Sequence, residues 1–113
     1  MLYTTITIKD EEYKARLSAR DCVELEKKLG DNPLNIFLRT AQNDSLPSIN
    51  LMVSIFHQSL QKYQHNITLS DAYDLYDDYV DDGHTLEDFI PLILEIFEVS
   101  GFFKKPEEGT EKN

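Results

Sequence analysis

The stretch SDAYDLYDDYVDDGHTLEDFIPLILEIFEVSGFF, which spans Ser70–Phe103, decides the fold. Its first part repeats apolar residues at helical spacing, and these residues form one face: Ala72, Leu75, Tyr76, Tyr79 and Val80. Ser70 is the expected N-cap of this helix and Gly83 its end. Thr85 and Asp88 then form a pair typical of a capping box, which begins a second helix that ends near Ser100-Gly101. The stretch therefore predicts two consecutive helices.

The second of these helices is apolar on nearly all sides. A helix with one buried face would cover Phe89, Ile93, Ile96 and Phe97 and leave Leu92, Leu94 and Val99 facing elsewhere. Pro91 lies too far inside for the first turn, so we expect a kink or a later start there. Phe102 and Phe103 follow the helix end and are hard to bury internally. Such a helix is either central to the domain or covered by a partner.

Upstream of this stretch, the pattern begins as β-structure and continues as helices. Leu2–Ile8 alternates with period two, a polar turn follows at Asp10–Glu12, and Tyr13–Leu17 returns as a second strand. Three helices are expected next, and the signals that start them are Ser18 with Asp21, Asp31 or Asn32 with Pro33, and Pro47 or Ser48. The fold class is thus α+β and predominantly α-helical, with an N-terminal β-hairpin followed by about five helices. We expect one domain over 1–103 and a disordered charged tail over 104–113.

The buried faces of these three helices follow from the same spacing. The first helix is expected to end at Gly30. One row of its residues, with Leu25 beside it, is expected to face the core: Ala19, Cys22, Val23, Glu26 and Leu29. The second is expected to bury Leu34, Phe37 and Leu38. The third runs to about Gln64 along Ile49, Met52, Val53, Phe56, Leu60 and Tyr63, and Leu51 and Ile55 widen that stripe.

The net charge of −10 lies entirely between Tyr63 and Phe103, where ten acidic residues occur and no Lys or Arg. This balance argues against nucleic-acid binding, which requires cations to neutralise phosphates, and against an anionic membrane surface. No apolar run is long enough to span a bilayer. The single Cys22 cannot form an internal disulfide, and Met1–Thr5 lacks the features of a signal peptide, so we expect a cytosolic protein.

The candidate catalytic and metal-binding residues do not form a recognisable site. His57 and His65 are eight residues apart, too far for a helical metal pair, and nothing near His84 supplies an orienting group. The run from Asp77 to Gly83 fails as a calcium loop, because the loop positions that must supply oxygen fall on Val80 and Phe89. We therefore expect no metal, no cofactor and no catalytic residue.

The acidic helix face admits two interpretations. Aspartates at 71, 74, 77, 78 and 81 form a row that is usually a solvated face. However, like charges three and four residues apart oppose helix formation, so a basic partner surface is an alternative explanation. The corresponding alternative function is a small acidic inhibitor that mimics DNA or acts as a protein-binding adaptor.

The order of several short segments resembles the tail assembly chaperones of long-tailed bacteriophages, of the type found in phages and prophages of Gram-positive bacteria. The matching segments cover about Tyr3–Phe103: Tyr13–Leu17, Val23–Gly30 with Asn32–Leu34, Ser59–Tyr63, Asp74–Tyr79, and Ile90–Pro91 through Val99–Phe103. Each segment alone has low specificity, and their order and spacing carry the resemblance.

This resemblance implies a function. Such chaperones bind the tape measure protein in the host cytoplasm, are absent from the finished virion, and often recruit the major tail tube protein through a longer frameshifted form. We expect self-association as well, and no enzymatic activity. The expected protein-binding residues are Leu51, Ile55, Leu92, Leu94, Val99, Phe102 and Phe103.

Overall fold

The computed structural model describes residues 2–104, which form a two-stranded hairpin followed by five helices. The elements are β1 Thr4–Ile8, β2 Glu11–Ala15, α1 Ala19–Leu29, α2 Pro33–Gln42, α3 Ile49–Leu60, α4 Leu69–Asp81 and α5 Leu86–Val99. The expected α+β class, with a hairpin followed by about five helices, is confirmed. The predicted disordered tail falls almost wholly on residues 105–113, outside the described part.

The hairpin is tighter than expected. The strands are antiparallel and pair Thr4 with Ala15 and Ile8 with Glu11, so only Lys9 and Asp10 form the turn. Both turn residues have positive φ, 51° and 67°, as a type I′ turn requires. The second strand therefore begins at Glu11, two residues before the predicted start at Tyr13.

The centre of the molecule is α3. Every residue from Leu51 to Phe56 is buried, and α1, α4, α5 and β2 all pack against this helix. Its neighbours contribute buried side chains, among them Leu25 of α1 and Ile93 of α5. Phe89 of α5 lies among three aromatic rings, those of Phe56, Tyr76 and Tyr79, at centroid distances of 5.4, 5.3 and 5.1 Å. The central helix is thus α3 and not α5.

Helix starts follow the capping chemistry of the sequence. Ser18 with Asp21 and Thr85 with Asp88 form capping boxes, and Asn32 and Ser48 also accept hydrogen bonds from the first turns of their helices. One prediction is wrong: α4 is capped by Thr68 with Asp71, two residues before Ser70. The expected later start at Pro91 is also wrong, because α5 begins at Leu86 and contains that proline.

Several residues predicted to be buried lie at the surface instead. Val23, Leu38, Ile49 and Val80 are exposed, although all four sit on predicted apolar faces. Val23, Leu38 and Val80 lie beside the narrow row along which their helices contact the core, and Ile49 lies at the exposed start of α3. Helix α3 ends at Leu60, before the expected end near Gln64, and the next residues form turns.

Candidate protein-binding surfaces

The seven expected protein-binding residues do not form a single patch. Leu51 and Ile55 are 5% and 0% exposed, so both belong to the core and offer no surface to a partner. This corrects the expectation that they take part in contacts with another chain. The remaining five residues lie on or just after α5.

Helix geometry divides the α5 residues between two flanks. Phe89, Ile93, Ile96 and Phe97 are fully buried, as the one-faced pattern predicted. Leu92 lies three residues before Glu95 and Val99 four after it, so both share the helix flank of Glu95. The Glu95 carboxylate accepts a hydrogen bond from the Thr4 hydroxyl of β1 at 2.8 Å. Leu94 lies on the opposite flank, three residues before Phe97, whose ring contacts Phe37 of α2 at 5.9 Å. Leu92, Leu94 and Val99 are all half-buried.

The end of α5 is held against the start of α1. Gly101 adopts a left-handed φ of 90° that turns the chain out of the helix. The Ser100 hydroxyl accepts a hydrogen bond from the Leu17 N–H at 2.8 Å and donates to the Ile96 carbonyl at 2.6 Å. The N–H of Phe102 donates to the Phe97 carbonyl at 3.0 Å. The position of residues 102 and 103 is therefore set by hydrogen bonds at the helix end.

The two terminal phenylalanines differ in exposure. The Phe102 ring packs edge-on against Phe97 at 5.0 Å and lines a depression with Leu17, Ala19 and Cys22. Phe103 is 38% exposed. We call Leu92, Val99, Phe102 and Phe103 the α5 terminal surface. The exposed carboxylate of Glu95 lies between Leu92 and Val99 on the same helix flank, so an anionic group adjoins this apolar area.

Cys22 lies half-buried in that depression. Burial raises the pKa of its thiol, and the nearby carboxylates of Glu26 and Asp21 raise it further. A raised pKa lowers the thiolate fraction at neutral pH and therefore the nucleophilicity of the sulfur. This environment favours the interpretation of Cys22 as a packing residue.

The second distinctive surface is acidic and lies on α4. Asp74, Asp77 and Asp81 are exposed, and Asp78 is half-buried. In residues 2–104 the only cation within 4.0 Å of an aspartate of this region is Lys9, which pairs with Asp82 at 3.9 Å. The acidic field extends to β2: burial raises the pKa of Tyr13, and Glu11 and Asp78 raise it further.

The histidines are dispersed. His84 stacks on Tyr79 at 4.4 Å and lies 3.8 Å from the Asp88 carboxylate, whereas His65 is exposed and His57 half-buried. The described part of the chain contains no group of three potential metal ligands. Nor does any of its helices have the length and apolar character needed to cross a membrane.

These features define a small α+β, mostly helical protein whose distinctive surfaces are an apolar helix end and an acidic helix face. The chain belongs to a family of unknown function, DUF6096, which it matches over residues 2–113. No curated protein and no solved structure matches it.

Proposed function

We propose that this chain is a non-enzymatic chaperone of phage tail assembly that binds the tape measure protein and keeps it soluble until the tail tube forms around it. The order of segments along Tyr3–Phe103 supports this function. The structural observation that supports it best is the α5 terminal surface, in which Phe103 is 38% exposed and Val99 and Phe102 are half-buried.

The chemistry of the two surfaces suits such a client. A long helical protein with apolar stripes needs an apolar surface on which each stripe can be shielded from water. The uncompensated aspartates of α4 give every loaded chaperone a strong negative charge, so that complexes repel one another and remain dispersed. In this proposal the protein acts in the host cytoplasm and is absent from the virion, and a longer frameshifted form recruits the major tail tube protein.

Co-expression with the tape measure protein of the same genome tests this function. We expect the tape measure protein to be insoluble alone and soluble with this chain. Replacing Val99 and Phe103 with serine should abolish the rescue without unfolding the protein, because both side chains are partly exposed. The matched control is Val80→Ser, which removes a side chain of similar exposure (43%) from the acidic helix. Equal insolubility with and without this chain would show that the proposed client is wrong.

The acidic face of α4 favours one alternative: an inhibitor that mimics DNA and occupies the basic site of a nucleic-acid-binding protein. Its support is the row of exposed aspartates that lacks cationic partners among residues 2–104. This function predicts that the chain displaces such a protein from DNA, and that replacing Asp74, Asp77 and Asp81 with asparagine abolishes the effect. Capture of an apolar helical client should instead survive these replacements and added salt.

A further inference from the structure

The outer edges of the two strands of the hairpin differ in whether their backbone groups are hydrogen-bonded. On the outer edge of β2, the Arg16 N–H donates to the Ser59 carbonyl at 2.9 Å. The Lys14 N–H donates to Gln64 Oε1 at 2.8 Å, and Gln64 Nε2 donates back to the Lys14 carbonyl at 2.9 Å. The last turn of α3 and the turn after it therefore satisfy the N–H and carbonyl of Lys14 and the N–H of Arg16.

The outer edge of β1 has no such cover. Thr5 lies opposite Lys14, and because Lys14 directs its backbone groups away from β1, Thr5 directs its own away from β2. Tyr3 and Thr7 share that direction by the period of the strand. Within residues 2–104, the backbone N–H and carbonyl groups of these three residues have no hydrogen-bond partner. An open depression lined by Leu2–Thr5 and Glu95 leaves space beside this edge.

The edge also lacks the features that usually prevent strand addition. Leu2–Ile8 contains no charged residue and no proline, and all five residues of β1 are β-branched. The Lys9 N–H is the exception at the turn, since it donates to Asp82 at 2.7 Å. Leu2 continues the inward-facing row of β1 yet is 70% exposed, because the described part of its own chain does not cover it.

The charges of the hairpin indicate which strand would fit. Arg16 lies toward the open end of the hairpin, Lys14 lies level with Thr5, and Glu12, Glu11 and Asp10 lie toward the turn, where Lys9 is paired with Asp82. A second copy added antiparallel about Thr5 places Arg16 of each hairpin at the level of Glu12 of the other. A parallel arrangement would bring like charges together.

We propose that β1 pairs antiparallel with β1 of a second copy of this chain, about a two-fold axis at Thr5. The result is a four-stranded sheet in the order β2-β1-β1-β2, in which Tyr3 of each copy faces Thr7 of the other and Leu2 lies opposite Ile8. The backbone groups of Tyr3, Thr5 and Thr7 become paired, and the exposed Leu2 is covered. This interface uses residues outside the α5 terminal surface and does not depend on the proposed client.

The mass of the full-length protein in solution tests this interface. Sedimentation over a wide range of concentration should give twice the chain mass of 13.1 kDa. Thr5→Lys should give the mass of a single chain, because two lysines would face each other across the axis, and Thr5→Glu should do the same. An equal mixture of these two variants should restore the dimer. Gln42→Lys adds the same charge at an exposed position on α2 and should leave the dimer intact.

Three results would overturn the proposal. The first is a wild-type chain that stays monomeric at the highest concentration. The second is a dimer located elsewhere, which would persist in Thr5→Lys or would be disrupted by the serine replacements at Val99 and Phe103. The third is a monomeric chain in which Thr5→Lys abolishes capture of the tape measure protein, since the edge would then bind a strand of the client. Circular dichroism of each variant distinguishes loss of pairing from loss of fold.

Discussion

The hydroxyl of Thr4 donates a hydrogen bond to the carboxylate of Glu95 at 2.8 Å, which joins the first strand to the last helix across 91 residues of sequence. Thr4 is 6% exposed, so its hydroxyl has little access to water. The bond also places the Leu92 and Val99 flank of α5 on the side of β1. It therefore links the position of the α5 terminal surface to that of the hairpin.

Glu95→Ala should destabilise the protein. Truncation leaves the Thr4 hydroxyl buried without its partner, which costs about 1–3 kcal/mol. Chemical denaturation gives the free energy of unfolding, and Glu98→Ala is the control because it makes the same change on α5 at a carboxylate that accepts no hydrogen bond within residues 2–104. In Thr4→Val the effect of Glu95→Ala should largely disappear. Additive losses in the double variant would contradict the coupling.

The local signals of this sequence predicted the elements well. Capping residues act within one turn of the backbone, so Ser18 with Asp21 and Thr85 with Asp88 could be recognised without the rest of the fold. The start of α4 was misplaced because Ser70 and Thr68 are both suitable caps. Only Thr68 has an aspartate three residues later, at Asp71, and this spacing is the signal that was missed.

The choice of central helix could not be derived from periodicity. Both α3 and α5 are apolar on several sides, and the apolar run of α5 left open whether that helix is central or covered by a partner. The useful signal is charge: Ile49–Leu60 contains no Asp, Glu, Lys or Arg, whereas α5 has carboxylates at Glu95 and Glu98 on its solvent side. Which side chains meet across elements depends on the packing of all helices together, and for this reason the apolar stripe of α3 did not reveal that Leu51 and Ile55 are too deeply buried to contact another chain.

Ser54 and Ser59 should respond differently to removal of the hydroxyl. Both are fully buried in α3, but Ser59 donates to the Phe56 carbonyl at 2.7 Å, whereas the Ser54 hydroxyl has no partner within residues 2–104. Ser54→Ala removes an unpaired buried polar group and gains helix propensity, so the free energy of unfolding should rise by about 0.5–1.5 kcal/mol. Ser59→Ala loses a hydrogen bond and should be less favourable. Equal changes in thermal unfolding would show that the hydrogen bond contributes nothing.

Stability should fall on mild acidification because of His57. Burial lowers the pKa of its imidazole and the charge of Lys28 lowers it further, although a hydrogen bond to the Ile67 backbone acts in the opposite direction. The folded state thus prefers neutral His57. This stabilisation is fully present above the ordinary pKa of 6.5 and is lost as the pH falls through the lower folded pKa.

The test for His57 is the free energy of unfolding measured from about pH 7.5 to about pH 5.5. The wild-type value should decrease more steeply than that of His57→Gln. His65→Gln removes an exposed histidine and should retain the wild-type slope. A slope that His57→Gln leaves unchanged would assign the pH dependence to other groups.

The aspartate row should oppose the stability of α4 most strongly at its C-terminal end. Asp81 is the last residue of the helix, lies three and four residues after Asp78 and Asp77, and faces the negative end of the helix dipole. Asp81→Lys should therefore raise the free energy of unfolding by about 0.5–1 kcal/mol, and added salt should reduce this gain. Asp71→Lys places the same charge at the other end of the helix, where the carboxylate accepts the Thr68 N–H at 3.0 Å, and should destabilise. If both variants shifted the free energy of unfolding in the same direction, the position of the charge along the helix would not be the cause. The aspartate row would then not destabilise α4, and it would give no reason to expect a basic partner.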